Sequence, residues 1–319
     1  MQMTRRSFGL ASLSAALLPA IPAWAKAPLA TAQTASLYRT KVGAFEVTVL
    51  SDGWLPLETK LFSGDAAGNS KILESAFLPA DATPTSVNEW LVNTGDKLIL
   101  VDAGTSNTFA PTLGRMPRNL RAAGVDPAAI DMIILTHLHP DHVGGLLTPD
   151  KQVLFGNASV HVNETELSFW TSPDIYAKTP DPLKPLFDIA RTAIKPYADA
   201  GRLTTYKDGA EIAPGIRAVS APGHTMGHTM LRVSSGPREL LLWGDIVHNA
   251  ALQFPEPDRA ISFDTDQATA ITTRKKVFDM VANEKLMIAG AHLPFPGIGH
   301  VAKASVGYAY TPAPWFEDL

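Results

Sequence analysis

The chain has 319 residues, 45% of them hydrophobic and only 18% charged, with a formal net charge of -4. That composition describes a globular chain rather than a disordered one. Its lysines and arginines are scattered, which excludes the clustered positive face a nucleic acid requires and points to a small neutral substrate. With no cysteine and nine histidines, no disulfide can staple the fold, and a metal is the remaining candidate.

Residues 4–10 read TRRSFGL, an apolar run follows from Leu10 to Pro19, and Ala23-Trp24-Ala25 places small residues around a cleavage point. This is the three-part layout of a secretory signal, and Arg5-Arg6 ahead of Phe8 resembles a twin-arginine signal. The run is shorter than the roughly 20 residues a membrane span needs, and Pro19 and Pro22 interrupt it. Cleavage after Ala25 is expected, giving an exported protein, periplasmic or secreted. Loss of Arg5 and Arg6 takes the net charge from -4 to -6. Residues 26–36 (KAPLATAQTAS) read as a disordered leader, and residues 37–319 as one domain.

Two hairpins are predicted next, Tyr38–Val42 with Phe45–Leu50 around Gly43, and Trp90–Asn93 with Leu98–Val101 around Gly95-Asp96. Asn107–Ala123 has helical spacing and ends at Gly124, a suitable residue just past a helix. Strand-length runs follow at Met132–Leu135, Ser159–Val162, Leu203–Tyr206, Ile216–Ser220, Met230–Ser234, Leu240–Trp243 and Leu286–Ala289. Two more helices are predicted at Glu164–Trp170 and Gln267–Ala282. Residues 171–197 contain five prolines and read as an irregular, lid-like excursion ending in a short helix, though an ordinary surface loop fits equally well. Many strands with few helices imply sheets covered by helices.

Chemistry concentrates in residues 137–142, His-Leu-His-Pro-Asp-His, directly after the strand Ile133-Ile134-Leu135. His137 and His139 are two apart, so in extended chain they project to one side, and Pro140 favours extended geometry at His139. Asp141 and His142 then turn back toward the same point. Three further candidates follow strand ends: His224 in APGHTMGH, Asp245 in WGD and His292 in AGAH. Imidazole and carboxylate suit zinc, with iron, cobalt and manganese as alternatives. Seven ligands exceed what one zinc needs. His137, His139 and His224 are assigned to one ion, Asp141, His142 and His292 to a second, and Asp245 to both. His228, Asp102 and Thr225 are candidates to support the ligands from behind, because a metal-bound imidazole usually needs a partner for its other nitrogen. His161 and His300 read as structural.

HLHPDH, PGHTMGH, WGD and AGAH in this order resemble the metallo-β-lactamase superfamily, as does the strand and loop Leu98–Gly104. The likeness covers nearly all of residues 37–300. It implies an α+β fold, an αββα sandwich of two mixed β-sheets flanked by helices, with a dinuclear zinc site at one edge of a metal-dependent hydrolase. FEVTVLSDGWLPL at 45–57 and VHVNETELSFW at 160–170 add a likeness to methyl parathion hydrolases and related exported lactonases. That likeness implies cleavage of organophosphate triesters, with lactone and aryl ester activity. Acyl-homoserine lactone cleavage is the alternative, and β-lactam cleavage a third, which a bridging Asp245 opposes. Homodimers are common in the family. By the same resemblance, Asp141 and Asp245 act at the reacting centre, and Phe109, Trp170 and Phe187 line an apolar pocket. His248, three residues after Asp245, stands where lactonases carry a carbonyl-polarising Tyr. It is therefore a candidate both for catalysis and for the pocket wall.

Overall fold

The computed structural model describes residues 29–31, 33–106 and 110–317. The expected signal segment, residues 1–25, lies outside them. Residues 29–31 and 33–36 of the leader carry no regular structure, and Ala35–Leu319 forms one unit. Its strands are β1 (Leu37–Val42), β2 (Phe45–Glu58), β3 (Ala82–Asn93), β4 (Leu98–Val101), β5 (Met132–Ile134), β6 (Ser159–Asn163) and β7 (Leu203–Tyr206), then β8 (Glu211–Ala213), β9 (Ile216–Ser220), β10 (Thr229–Ser235), β11 (Arg238–Leu242), β12 (Met287–Ala289), β13 (Ile298–Lys303) and β14 (Tyr308–Pro312). The first seven form one sheet in sequence order, and the last seven form a second. In the first, β1 to β4 pair antiparallel and β4 to β7 parallel. In the second, only β11 and β12 pair in parallel. Both sheets are therefore mixed.

The helices are α1 (Ala66–Ser75), α2 (Met116–Ala122), α3 (Pro140–Val143), α4 (Glu164–Thr171), α5 (Pro173–Lys178), α6 (Lys184–Asp199), α7 (Ala250–Gln253) and α8 (Gln267–Glu284). Strand alternation explains the layers, since successive side chains point to opposite faces. Ile99 and Val101 of β4 join Leu240 and Leu242 of β11 in a core between the two sheets. Leu100, between the first pair, packs outward with Phe187 and Ile194 of α6. Leu241, between the second pair, packs outward with Val277, Phe278 and Val281 of α8. Buried on both faces, such strands read as continuous apolar runs. The result is an αββα sandwich.

The structure departs from the sequence-based expectation in several elements. The helix expected over Asn107–Ala123 begins only at Met116, and Asn107–Phe109 lie outside the described residues. The segment before Met116 wraps around the buried Asp52 instead. That carboxylate accepts the backbone N–H groups of Thr105 at 3.0 Å, Gly114 at 3.0 Å and Met116 at 2.9 Å. The excursion over 171–197 is helical for most of its length, as α5 and α6. Pro173 and Pro185 sit in first turns, where a missing N–H costs nothing. Phe187, Ala190, Ile194 and Tyr197 then bury one stripe of α6. Strands β8, β13 and β14 and helix α1 escaped the reading, because their short or mixed patterns carry no clear period.

Glu89 of β3 is out of character for this core. It is 1% exposed, and among the described residues neither carboxyl oxygen has a hydrogen-bond partner. Burial, with Asp52, Asp102 and Asp141 adding to it, pushes its pKa well above the usual carboxylate range. The folded chain thus holds a proton that the unfolded chain releases above its ordinary pKa, so folding loses stability as pH rises beyond that point. Glu89→Gln should raise the melting temperature at pH 8 by the equivalent of about 1–3 kcal/mol, and by less at pH 5. Thermal unfolding at both pH values checks this, and an unchanged or lowered Tm at pH 8 would contradict it.

Candidate metal centre

Every candidate ligand follows the end of a strand, and both sheets contribute. His137 and His139 lie in the loop after β5, and Asp141 and His142 in the short α3 that continues it. His224 follows β9, Asp245 follows β11, and His292 follows β12. The parallel pairs β4–β5 and β11–β12 make these loops leave their sheets at one edge. The backbone is shaped for the approach. Gly244, just before Asp245, has φ +57, and a Cβ there would lie 2.6 Å from His228 Nε2. Asp102 is held at φ 60, a left-handed conformation uncommon outside glycine and typical of strained functional positions.

The seven residues converge. Ligand atoms of His137, His139, His224 and Asp245 lie within 4.8 Å of one another, and so do those of Asp141, His142 and His292. Asp245 stands between the groups. Its Oδ1 is 3.2 Å from His142 Nε2, while its Oδ2 is 3.2 Å from His224 Nε2 and 3.0 Å from His292 Nε2. His137 Nε2 lies 3.7 Å from the same Oδ2.

Four of the histidines are tethered through Nδ1, which turns Nε2 inward. His142 Nδ1 donates to Asp102 Oδ2 at 2.8 Å, His224 Nδ1 to Asp264 Oδ1 at 2.9 Å, and His292 Nδ1 to the Ser86 carbonyl at 2.9 Å. His137 Nδ1 lies 3.0 Å from Thr136 Oγ1, which itself donates to Asp102. Such partners fix both tautomer and ring orientation. His228 is neutral and works from behind. Its Nε2 accepts the Asp245 N–H at 3.0 Å, its Nδ1 donates to the Ala221 carbonyl, and burial holds its pKa down to about 3.

This donor set fits metal cations. Among the described residues, His137 Nε2, His142 Nε2 and Asp245 Oδ1 are buried without a hydrogen-bond partner. His139 Nδ1 and His224 Nε2 face each other at 2.9 Å, a contact that a shared proton or a cation between them can satisfy. Electrostatics agree. Burial alone would lower the pKa of His142 and of His224, yet Asp245 with Asp141 and Asp102 raises the first, and Asp245 with Asp264 raises the second to about 9. The carboxylates call for positive charge, which protons or metal ions can supply in competition. His137 and His139, held well below the usual imidazole range by burial and then by neighbouring imidazoles, offer free lone pairs.

The remaining candidates fall into place unevenly. Trp170 is buried, with its ring edge-on to His139 at 5.5 Å, and Phe187 packs behind it at 4.5 Å. Both belong to the helix-side core and form a floor beneath His139 rather than an open wall. Phe109 lies outside the described residues. His248 sits inside the cluster itself, 3% exposed, with Nε2 3.2 Å from Asp245 Oδ2 and its ring stacked 5.0 Å from His292. Thr225 Oγ1 donates to Glu166 rather than to a histidine. His161 pairs with Ser159 and His300 is exposed on β13, both outside the ligand groups. Asp264 and Ser86 escaped the sequence reading, as did the fully buried Arg274, which donates to the Ile246 carbonyl and lies 3.8 Å from Asp264. Nothing in the local sequence marks them, since each acts through a contact distant along the chain.

Asp245→Ala should cost more activity than His228→Ala. The first removes the side chain that both ligand groups share. The second removes support from behind, a loss of about 10–100-fold. Steady-state kcat/KM for both variants checks this, and the reverse order would exchange their roles.

The profile of the metallo-β-lactamase superfamily matches residues 82–292, a stretch that holds all seven ligand candidates. Among solved structures, the hydrolase AbOPH of the β-lactamase superfamily is 36% identical, covers 90% of this chain and 100% of its own, and superposes with a TM-score of 0.85. AidC, a dizinc quorum-quenching lactonase solved with a product bound, is 29% identical, covers 89% of this chain and 99% of its own, and gives 0.83. The β-lactamase-like protein 2 homolog of Drosophila melanogaster is 26% identical over 232 residues, 72% of this chain. The present chain spans 64% of that curated relative's length. With its two mixed sheets, flanking helices and convergent His/Asp groups, the chain belongs to the metallo-β-lactamase superfamily and is a metal-dependent hydrolase.

Proposed function

We propose that the protein is a dinuclear zinc hydrolase of small, neutral, hydrophobic esters, with organophosphate triesters and lactones as its substrate classes. One observation carries the reading: Asp245 presents one oxygen to His142 and the other to His224 and His292, so one carboxylate serves two ligand groups. His137, His139 and His224 would hold one ion, and Asp141, His142 and His292 the other. Bound there, the ions supply Lewis acidity toward the attacked oxygen and lower the pKa of water toward neutrality.

The chain's own residues do the rest. Asp141 is 13% exposed, more open than any other carboxylate in the cluster, and stands 3.5 Å from His292. It is placed to accept a proton from the attacking water and return it to the leaving group. Thr136, Asp102, Asp264 and Ser86 hold the imidazoles so that nothing reorganises during the reaction. Export and the homodimer belong to this proposal. They rest on the leader and the family likeness, and among the described residues no helix is long and apolar enough to cross a membrane.

The lactone class is supported by the likeness to AidC, a dizinc quorum-quenching lactonase, hydrolysis in general by the likeness to the hydrolase AbOPH, and the triester class by the sequence resemblance alone. A panel on the zinc-loaded mature protein should show turnover of a diethyl aryl phosphotriester and of an acyl-homoserine lactone, weaker turnover of an aryl ester, and none of a cephalosporin. Cephalosporin turnover alone would overturn the reading. Chelation should abolish activity and lower Tm, because tight ligands stabilise the folded state by about 4 kcal/mol at a thousandfold excess over Kd. An unchanged melting curve would contradict metal binding at this site.

His248 decides the balance between the two classes. Burial holds its pKa down to about 4, so at neutral pH it is an uncharged ring beside Asp245. If its single N–H turns from Asp245 to a lactone carbonyl, that donor would be worth about a hundredfold in rate. His248→Leu should therefore lower lactone kcat/KM by that order and spare the triester. Equal effects on both substrates would remove His248 from the choice.

A further inference from the structure

The ligands of the first ion hang from loops of different sheets. His137 and His139 follow β5 in the first sheet, and His224 follows β9 in the second. The distance between these loops must be set to a few tenths of an ångström for three imidazoles to share one ion. Among the described residues, one side chain with contacts to both loops and to none of the ligands is Glu166, in the first turn of α4.

Glu166 is fully buried, and its carboxylate accepts four hydrogen bonds. Oε1 receives the backbone N–H of Leu138 at 2.9 Å and the indole Nε1–H of Trp170 at 2.6 Å. Oε2 receives Thr225 Oγ1–H at 2.7 Å and the backbone N–H of Gly227 at 2.9 Å. Leu138 lies between His137 and His139, and Thr225 directly follows His224. The approach is close as well. A Cβ at Gly227 would lie 2.3 Å from the Glu166 backbone nitrogen, so only glycine lets this loop rest on α4. Trp170, held by the same carboxylate, sets its ring against His139. Four donors on two oxygens is a demand that a carboxylate meets and a neutral amide does not, because an amide turns one of the acceptors into a donor.

We propose that Glu166 is the positioning residue of the first metal ion: its carboxylate clamps the His137–His139 loop to the His224 loop and so fixes the three-imidazole site. The inference rests on the two-ion reading above. It carries an asymmetry that a general structural role lacks. His142 and His292 are oriented by Asp102 and Ser86, so the second ion should not depend on Glu166.

The test uses the zinc-loaded mature protein and three variants, Glu166→Gln, Thr225→Val and Trp170→Phe, the last two each deleting one donor to the clamp. Metal per chain is measured by elemental analysis across a chelator series, with visible spectra of the cobalt-substituted protein as a second readout. Glu166→Gln should release one ion at about 10–100-fold lower chelator and keep the other at the wild-type concentration. Thr225→Val and Trp170→Phe should release the same ion at intermediate concentrations, and they carry the test if Glu166→Gln fails to fold. Parallel loss of both ions, or a lowered Tm with both ions held as in wild type, would overturn the role of Glu166. A wild-type chain that holds a single ion would instead overturn the two-ion reading.

Discussion

A carboxylate facing five imidazoles in a buried pocket governs this molecule. Asp245 is almost fully buried, and burial alone would push its proton affinity up. The imidazoles of His142, His292 and His137 outweigh that and keep it ionised, well below the usual carboxylate range. Its contacts reach both ligand groups. A buried charge of this kind is tolerable only when it is paired and hydrogen-bonded, and the surrounding architecture is arranged to satisfy that condition.

The sandwich supplies the convergence. Each sheet delivers ligands from one edge, and the apolar layer between the sheets holds those edges at a fixed separation. Behind the ligands lies a second tier of polar groups: Thr136, Asp102, Asp264, Ser86 and His228. Each satisfies one nitrogen or N–H of the site, and Asp102 serves His142 and Thr136 together. Arg274 extends this tier through α8, touching Asp264 and the carbonyl after Asp245. The site is thus preorganised by contacts that never reach a substrate, which is where electrostatic catalysis stores its advantage.

His248 shows how position in the chain and position in space can separate. By spacing from Asp245 it is a candidate for the substrate wall, yet its ring stacks on His292 and its Nε2 faces the shared carboxylate. Its other nitrogen, Nδ1, is buried without a hydrogen-bond partner among the described residues. On the proposed function, a side chain so placed would act through the candidate ligands as well as through the substrate.

The sequence by itself determined the local matters. HLHPDH, the glycine before Asp245 and the apolar runs ahead of each ligand are short-range patterns, and strand alternation sorts side chains to opposite faces whatever the rest of the chain does. The ligand candidates and most strands were legible for that reason. Only the tertiary structure decided the long-range matters. Asp264 meets His224 across 40 residues and Ser86 meets His292 across 206, and no periodicity encodes such pairs. The proline-rich stretch became α5 and α6 because Pro173 and Pro185 fall in first turns, α6 tolerates Pro196 near its end, and its apolar stripe finds a sheet to cover. Residues 110–115 take non-helical geometry where the buried Asp52 accepts the N–H groups of Gly114 and Met116. Local pattern fixes which groups are available, and packing of distant segments fixes which of them meet, because burial makes every unpaired polar group costly until a partner from elsewhere in the chain is found.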